Sequence, residues 1–224
     1  MAHVIHKVER VSTEIVEKFK ELPAATVYEA AGQMGMMDPA IKAVYPEAKV
    51  CGTALTVFCH VGDNLMIHKA VSMARPGDVL VVTIRSDANS GAWGEILTTA
   101  AEASGILGLV IDGAVRDAEA TRRHEFPIFS RGLAVGATMK KNIGLINHPV
   151  SCGNVTVHPG DLVLGDLDGV VVVPRERAEA VLAASIERED REAVLMDKLK
   201  AGATTLELLN LGPVLEGLGL TEEL

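Results

Sequence analysis

Apolar residues along this chain fall into short runs that alternate with amphipathic stretches. The runs at 79–84 (VLVVTI) and 107–113 (LGLVIDG) are continuous and rich in β-branched residues, which predicts strands buried on both faces. Residues 50–59 alternate well enough to form a third strand. Helices are predicted between these strands, over about 64–74 and 93–103. Strand–helix–strand alternation at this spacing indicates an α/β layered fold.

The segment before the first strand predicts two helices. The first covers 12–22, with Ser12 or Thr13 as its cap. The second runs to about residue 33, and Thr26 and Glu29 have capping-box spacing at its start.

The second half of the chain has a different order of predicted elements. RDAEATRRHE predicts a helix, and FPIFSRG leads into a short edge strand. Strands and tight turns then follow over 150–174, which indicates a small antiparallel β section, and a long charged helix is predicted over 175–200 with a helical tail behind it. We therefore divide the chain into an α/β/β core, 1–174, and a C-terminal helical extension, 175–224.

Composition narrows the function classes. The chain has 224 residues and a formal net charge of −9, so its overall field disfavours nucleic acid and anionic membranes as partners. An anionic substrate would need local positive charge at its site. Three cysteines without a CxxC motif favour a reducing, cytoplasmic setting. No apolar leader and no run of 18 apolar residues is present, so neither a signal peptide nor a membrane span is expected.

Two groups of residues, each following a buried strand, carry the candidate chemistry. Gly94, Glu95, Ile96 and Leu97 open a helix, whose first N–H groups suit a carboxylate or phosphate. Arg116 can grip a carboxylate with two parallel hydrogen bonds, and the adjacent Asp117 is a hard oxygen ligand for Mg²⁺ or Mn²⁺. Together they would bind a 2-oxo acid.

Plainer interpretations of these residues stand beside the chemical one. Glu95 is also the first-turn acid that complements a helix dipole, and Arg116 with Asp117 is also a surface charge pair that opens a helix. The glycines fit ordinary turn chemistry.

The order of motifs resembles a known family. Glu95, then twenty residues, then Arg116-Asp117 matches the acid-X20-Arg-Asp motif of the 4-hydroxy-4-methyl-2-oxoglutarate / 4-carboxy-4-hydroxy-2-oxoadipate aldolases. These are class II pyruvate aldolases related to the regulator of ribonuclease activity A, RraA. GDN at 62–64, GAWGE at 91–95, GLVIDGAVRD at 108–117 and GDLDGVVVVP at 165–174 look similar too. The resemblance runs from about Val11 to the C-terminus.

The resemblance implies a role for each matching residue. The backbone of Gly94 to Leu97 would hold the pyruvyl carboxylate, Arg116 would bind substrate and stabilise an enolate, and Asp117 would hold the divalent metal. Glu95 would orient Arg116 or a metal-bound water. In REAVLMDKLKAG, Glu192 would be an acid that reaches a neighbouring subunit's site, although Arg191 stands where the family has Lys; a solvated helix face is the alternative.

The resemblance also implies a fold, an assembly and a reaction. The fold would be a layered β/β/α sandwich like swivelling phosphohistidine domains, and the chain would form homotrimers or hexamers with sites between subunits. The reaction would be metal-dependent cleavage of a 4-hydroxy-2-oxo acid to pyruvate, with oxaloacetate decarboxylation as a side activity and a role in protocatechuate or gallate breakdown. The alternative is a non-enzymatic regulator of ribonuclease E; Asp117 and the C-terminal helices disfavour it.

Other polar residues have simpler interpretations. None of the seven histidines forms a ligand-like pair. Packing or surface roles are expected for His60, His68 and His124, and a phosphocarrier histidine has no distinctive setting. Asp166 and Asp168 are expected to make an Asx-type turn rather than bind metal.

Overall fold

The computed structural model of the protein describes residues 2–223. Contacts divide the chain into two compact units, and the division falls after Ser185. The boundary predicted at residue 174 is of another kind, because it separates the catalytic core, 1–174, from the C-terminal extension, 175–224. It stays a prediction.

Eight strands of the described residues form one sheet in the first unit. Its spatial order is β1 (Lys42–Ala43), β5 (Ile128–Leu133), β4 (Gly108–Val115), β3 (Asp78–Gly91), β2 (Val50–Phe58), β9 (Leu162–Asp166) and β10 (Gly169–Val173), and β6 (Leu145–Ile146) also pairs with β2. The four strands β2, β3, β4 and β5 are mutually parallel, and the others pair antiparallel. The α/β class predicted from the sequence is confirmed.

Both faces of the central strands are buried, which explains their continuous apolar runs. In β3, Leu80 and Val82 belong to a core formed with helices α3 (Leu65–Val71) and α4 (Glu95–Ala103). The alternate residues Val79 and Val81 belong to a second core, which includes the hairpin of β7 (Val150–Cys152) and β8 (Val155–Val157). The sheet therefore lies between helices and a small hairpin.

The N-terminal helices are α1 (Thr13–Phe19) and α2 (Ala24–Ala30), as predicted. Ser12 caps α1 by accepting the Ile15 N–H. The capping box expected at Thr26 is wrong, because α2 begins at Ala24 behind Pro23. Its first N–H donates instead to Asp166 Oδ2 at 2.9 Å, while Asp166 Oδ1 accepts from Asp168 N, which confirms the Asx-type turn.

Two strand predictions need correction. The strand expected over 79–84 continues to Gly91, with register shifts against β4 after Thr83. The strand expected at the edge, β5, lies between β4 and the two-residue β1. The helix predicted after β4 is confirmed as α5 (Ala118–Arg123).

The second unit is helical. The long helix α6 (Ala178–Lys200) follows a 3₁₀ turn at Arg175–Arg177 and crosses the division between the units. The second unit continues with α7 (Thr205–Leu208), which has a full capping box from Thr204 and Glu207, and α8 (Gly212–Gly217). Across residues 2–223, every helix is too short or too polar to cross a bilayer.

Candidate active site

The carboxyl ends of the parallel strands β3 and β4 bring the predicted site residues together. Arg116 N donates to Trp93 O at 2.8 Å, and Ala92 N donates to Ala114 O at 3.0 Å. Gly91 N donates to Gly136 O at 2.9 Å. These backbone bonds hold the loop after β3 against the loop after β4, where ligands of open α/β sheets usually bind.

The glycines of GAWGE are explained by the side chains that pack on them. A Cβ at Gly91 would meet Ala134 O and, at 2.8 Å, Arg116 Cβ. A Cβ at Gly94 would overlap Asp117 Oδ2. Gly94 has an ordinary extended backbone, with φ −161°, so space rather than strain requires this glycine.

Trp93, between the two glycines, fixes this loop to the core. Its side chain is fully buried, stacks on the Phe126 ring at a centroid distance of 5.9 Å, and donates from Nε1 to Thr98 Oγ1 at 2.8 Å. The start of α4 is therefore anchored by an aromatic side chain that belongs to the same motif.

Asp117 contacts the start of α4. Its backbone is left-handed, with φ 57°, a conformation that Asp adopts more readily than most residues. Its Oδ2 accepts the Glu95 N–H at 3.1 Å and lies 3.7 Å from Arg116 Nε. Both side chains keep 43% of their surface exposed. Within the predicted anion cradle, Asp117 thus takes the Glu95 N–H, the first of α4, which leaves Ile96 and Leu97 as the helix donors for a ligand.

The donor chemistry at Asp117 fits a hydrated hard cation. Within the described residues no three His, Cys, Asp or Glu side chains cluster as metal ligands. Mg²⁺ is commonly held by one or two carboxylates, with water and substrate completing its coordination, and the half-exposed Asp117 suits that arrangement.

Glu95 has a neighbour that the sequence did not indicate. Its Oε1 lies 3.7 Å from His124 Nε2, and His124 Nδ1 lies 2.9 Å from Glu102 Oε2. His124, expected at the surface, is partly buried between two acids of α4. The expected role of Glu95 in orienting Arg116 or a water stays a prediction.

A polar cavity of about 170 Å³ adjoins Arg116 and Asp117. Its other lining residues include Asn64, His68 and Lys140, none of which was singled out as a site residue. Asn64 Oδ1 and His68 Nε2 are buried without a hydrogen-bond partner in the structure. Such orphaned polar atoms are rare in protein interiors, so they indicate a place for a ligand or water.

The GDN motif builds this cavity. Asp63 accepts hydrogen bonds from Leu65 N, Lys141 N and both nitrogens of Asn142. Burial tends to raise the pKa of Asp63, but these four donors outweigh it and hold the pKa below its usual value. Gly62 N donates to Asp87 Oδ2 at 3.0 Å. The motif therefore ties two loops to the site.

The family of the chain follows from comparison with known proteins. The model of the RraA-like family, described as Aldolase/RraA, matches residues 24–172. The chain belongs to the RraA-like family. A protein of Halalkalibacterium halodurans named "Putative 4-hydroxy-4-methyl-2-oxoglutarate aldolase" is 37% identical over 198 residues, covering 87% of this chain and 94% of the relative. An uncharacterized protein of Methanocaldococcus jannaschii is 30% identical and covers 72% and 78%.

Solved structures agree with the RraA-like fold. An uncharacterized protein of Pseudomonas syringae superposes with a TM-score of 0.79 at 26% identity, over 88% of this chain and 97% of the other. Streptomyces coelicolor RraAS2, described as an unusual member of the RNase ES inhibitor RraA family, has a TM-score of 0.76 at 28% identity, over 85% and 99%. The RraA-like family thus contains relatives named as aldolases and relatives named as inhibitors.

Glu192 lies in the second unit of this RraA-like chain. Its Oε1 is 2.8 Å from Arg188 Nη2, one turn earlier in α6. About a third of each side chain is exposed. The expected approach of Glu192 to a neighbouring subunit's site stays a prediction.

Proposed function

We propose that the protein is a divalent-metal-dependent aldolase that cleaves 4-carboxy-4-hydroxy-2-oxoadipate or 4-hydroxy-4-methyl-2-oxoglutarate and releases pyruvate. The observation that carries this proposal is the meeting of Arg116, Asp117 and the start of α4 at one polar cavity. The relative named as an aldolase aligns over most of the chain and supports it.

The chain's own residues would bind the pyruvyl half of the substrate. The N–H groups of Ile96 and Leu97 and the positive end of α4 would hold its carboxylate. Arg116 would pair with the oxygen that becomes negative when the enolate forms, which is where a fixed cation lowers the barrier most. Asp117 would hold Mg²⁺ or Mn²⁺, which supplies Lewis acidity when bound.

The reaction needs one proton removed and one returned. The C4 hydroxyl loses its proton, the C3–C4 bond breaks, and its electron pair becomes the pyruvate enolate while C4 becomes a carbonyl. The enolate is then protonated at C3. Glu192 of the partner subunit would assist the first proton transfer, in a homotrimer or hexamer. Oxaloacetate gives the same enolate by losing CO₂, so decarboxylation is the expected side activity.

Pyruvate release tests the proposal. The protein is incubated with each hydroxy-oxo acid or with oxaloacetate, first with Mg²⁺ or Mn²⁺ and then with excess EDTA. We expect pyruvate formation that EDTA stops and added metal restores. Turnover that persists in EDTA would contradict metal dependence, and no turnover with any metal would contradict the aldolase itself.

The alternative is a regulator that inhibits an RNA-degrading enzyme. The likeness to Streptomyces coelicolor RraAS2 favours it. Inhibition of ribonuclease E cleavage by this protein, together with absence of pyruvate release, would establish it. Asp117 weighs against it, because a surface inhibitor has no need of a carboxylate placed on a helix start beside an arginine.

A further inference from the structure

A second cavity, of about 470 Å³, opens on the face of the sheet that carries the β7–β8 hairpin. We call it the hairpin cavity, and its walls include Phe58, Thr83, Arg85, Val150, Ser151 and Asn154. Side chains alternate along β3, so Thr83 lies on the hairpin side with Val79 and Val81. The hairpin cavity shares no lining residue with the cavity beside Arg116. Its volume is within the range of pockets that hold small molecules.

An irregular stretch of β3 forms one wall of the hairpin cavity. Thr83 lies opposite Asp112 of β4, and the pairing of the two strands resumes only at Asp87. Between these points, Arg85 and Ser86 both have left-handed backbones, with φ 54° and 59°. Such a conformation is costly for non-glycine residues and persists only where the surroundings fix it. Ser86 Oγ supplies one such restraint by donating to Asp112 Oδ1 at 2.9 Å, so the irregularity is a built feature that places Arg85 at the cavity.

Arg85 is the available cation of the hairpin cavity. Its guanidinium carbon lies 5.5 Å from the centroid of the Phe58 ring, in a cation–π contact. Among residues 2–223, no carboxylate pairs with Arg85, because Asp112, the acid in the cavity wall, is bonded to Arg131. A guanidinium on an aromatic face still directs its N–H donors outward from its edge, where a carboxylate can accept two parallel hydrogen bonds.

The other walls combine apolar surface with a few hydrogen-bonding groups. Phe58, Leu145 and Val150 supply apolar surface from three different strands. The side chains of Thr83 and Ser151 also face the cavity, and neither has a hydrogen-bond partner within the described part of the chain. A mostly apolar wall with a few convergent polar groups is the usual composition of a small-molecule site.

We infer that the hairpin cavity binds a small carboxylate with an apolar body. The carboxylate would pair with Arg85, on the side away from Asp112, because like charges repel. The body would pack against Phe58, Leu145 and Val150. This site is separate from the aldolase proposal, since it uses none of the residues that the proposed reaction needs.

Three probes test the two halves of this ligand. Benzoate has both a carboxylate and an apolar body, benzamide has the same body without the charge, and acetate has the charge without the body. Calorimetry is carried out in EDTA, so that no metal at Asp117 contributes to binding. We expect benzoate to bind about 10-fold or more tightly than either of the other two, as a charge-assisted hydrogen bond and the burial of a ring each allow.

Two variants place the binding at the hairpin cavity. Arg85→Asn removes the cation but keeps a residue that tolerates a left-handed backbone, and it should abolish most of the preference for benzoate over benzamide. Ser151→Trp enlarges an exposed side chain of β7 that lines the cavity, and it should weaken the binding of both compounds about 10-fold or more. Melting temperatures near the wild-type value would show that both variants fold.

Two further arginine variants are the controls. Arg122→Gln changes an exposed arginine that lines neither cavity, and Arg116→Met removes the arginine of the candidate active site, which could bind a carboxylate itself. Both should bind benzoate as the wild type does. The inference would be overturned by a wild type that does not bind benzoate, by equal affinities for benzoate and benzamide, or by binding that depends on Arg116 and not on Arg85.

Discussion

Two aspartates near the end of β4 differ in how completely the protein uses them. Asp112 is 6% exposed and accepts hydrogen bonds from Arg131 Nε, Ser86 Oγ and Gly153 N. Asp117, five residues later, keeps 43% of its side chain exposed, with one backbone donor and an arginine at 3.7 Å. The first carboxylate is satisfied by the fold, and the second retains capacity for a ligand.

This difference in exposure and in hydrogen-bond partners separates an ion pair that stabilises the fold from one that is available to a ligand. Arg131 is shared between Asp112 and Asp38, so its guanidinium is used on both sides. Arg116 has a long contact to Asp117 and lines the cavity. Mutations in the two pairs should therefore have opposite consequences, one for activity and one for stability.

The largest expected effect is on activity, at Asp117. Asp117→Asn preserves the shape and an acceptor for Glu95 N but removes the charge that would hold the metal. We expect pyruvate release to fall by more than about 10²-fold, comparable to the loss of a transition-state electrostatic group. Steady-state kinetics in saturating Mg²⁺ measure this, and the melting temperature should stay at the wild-type value. Near-wild-type turnover would remove Asp117 from the metal site.

The next effect is on stability, at Asp112. Asp112→Asn leaves Arg131 partly uncompensated, which should cost about 3 kcal/mol, at the low end for a broken buried ion pair because Arg131 keeps Asp38. For a chain of this size, that lowers Tm by roughly 6–12 °C. Calorimetry measures the shift, and kcat at 20 °C should change little. If Asp112→Asn melted like the wild type but were inactive, Asp112 would belong to the active site and would not be a stabilising carboxylate.

Arg116→Lys tests whether Arg116, beside Asp117, must supply two parallel N–H donors or only a positive charge. Lysine cannot make two parallel hydrogen bonds, so kcat should fall about 10-fold or more while the fold is unaffected. Arg122→Lys, at an exposed arginine in α5 that pairs with Glu47, is the matched control and should leave kcat unchanged. An equal rate in both variants would exclude Arg116 from the reacting centre.

The contrast between the aspartates also shows what the sequence could predict. Periodicity predicts β2, β3 and β4 and the helices between them, because buried parallel strands require continuous apolar runs. It also places Glu95 and Arg116 at neighbouring strand ends. It does not reveal that Asp112 is satisfied and Asp117 is not, because Arg131 and Gly153 reach Asp112 from separate loops.

The sequence did not indicate the other polar residues that line the cavity beside Arg116, which are Asn64, His68 and Lys140, for the same reason. The sequence predicts only a packing or surface role for His68, and the 139–142 loop has no periodic pattern. Its position depends on Asp63, whose four donors lie in local and distant segments. Buried polar anchors of this kind decide site geometry, yet they look like ordinary loop aspartates in a sequence.

The smallest expected effect is the pH dependence of the Asp112 contribution. Burial tends to raise the pKa of Asp112, but Arg131, Gly153 and Ser86 together hold it below the usual value. A carboxyl group whose pKa is lowered on folding stabilises the protein fully above its unfolded pKa of about 3.9, and this contribution is lost as pH falls through the folded value. The gap in unfolding free energy between wild type and Asp112→Asn should therefore be constant from pH 7 to about 5 and shrink below about pH 4. Urea titrations across this range measure it. A gap that instead shrank between pH 5 and 7 would mean that Asp112 titrates at a raised pKa, and the comparison between a satisfied and an unsatisfied carboxylate would lose its physical basis.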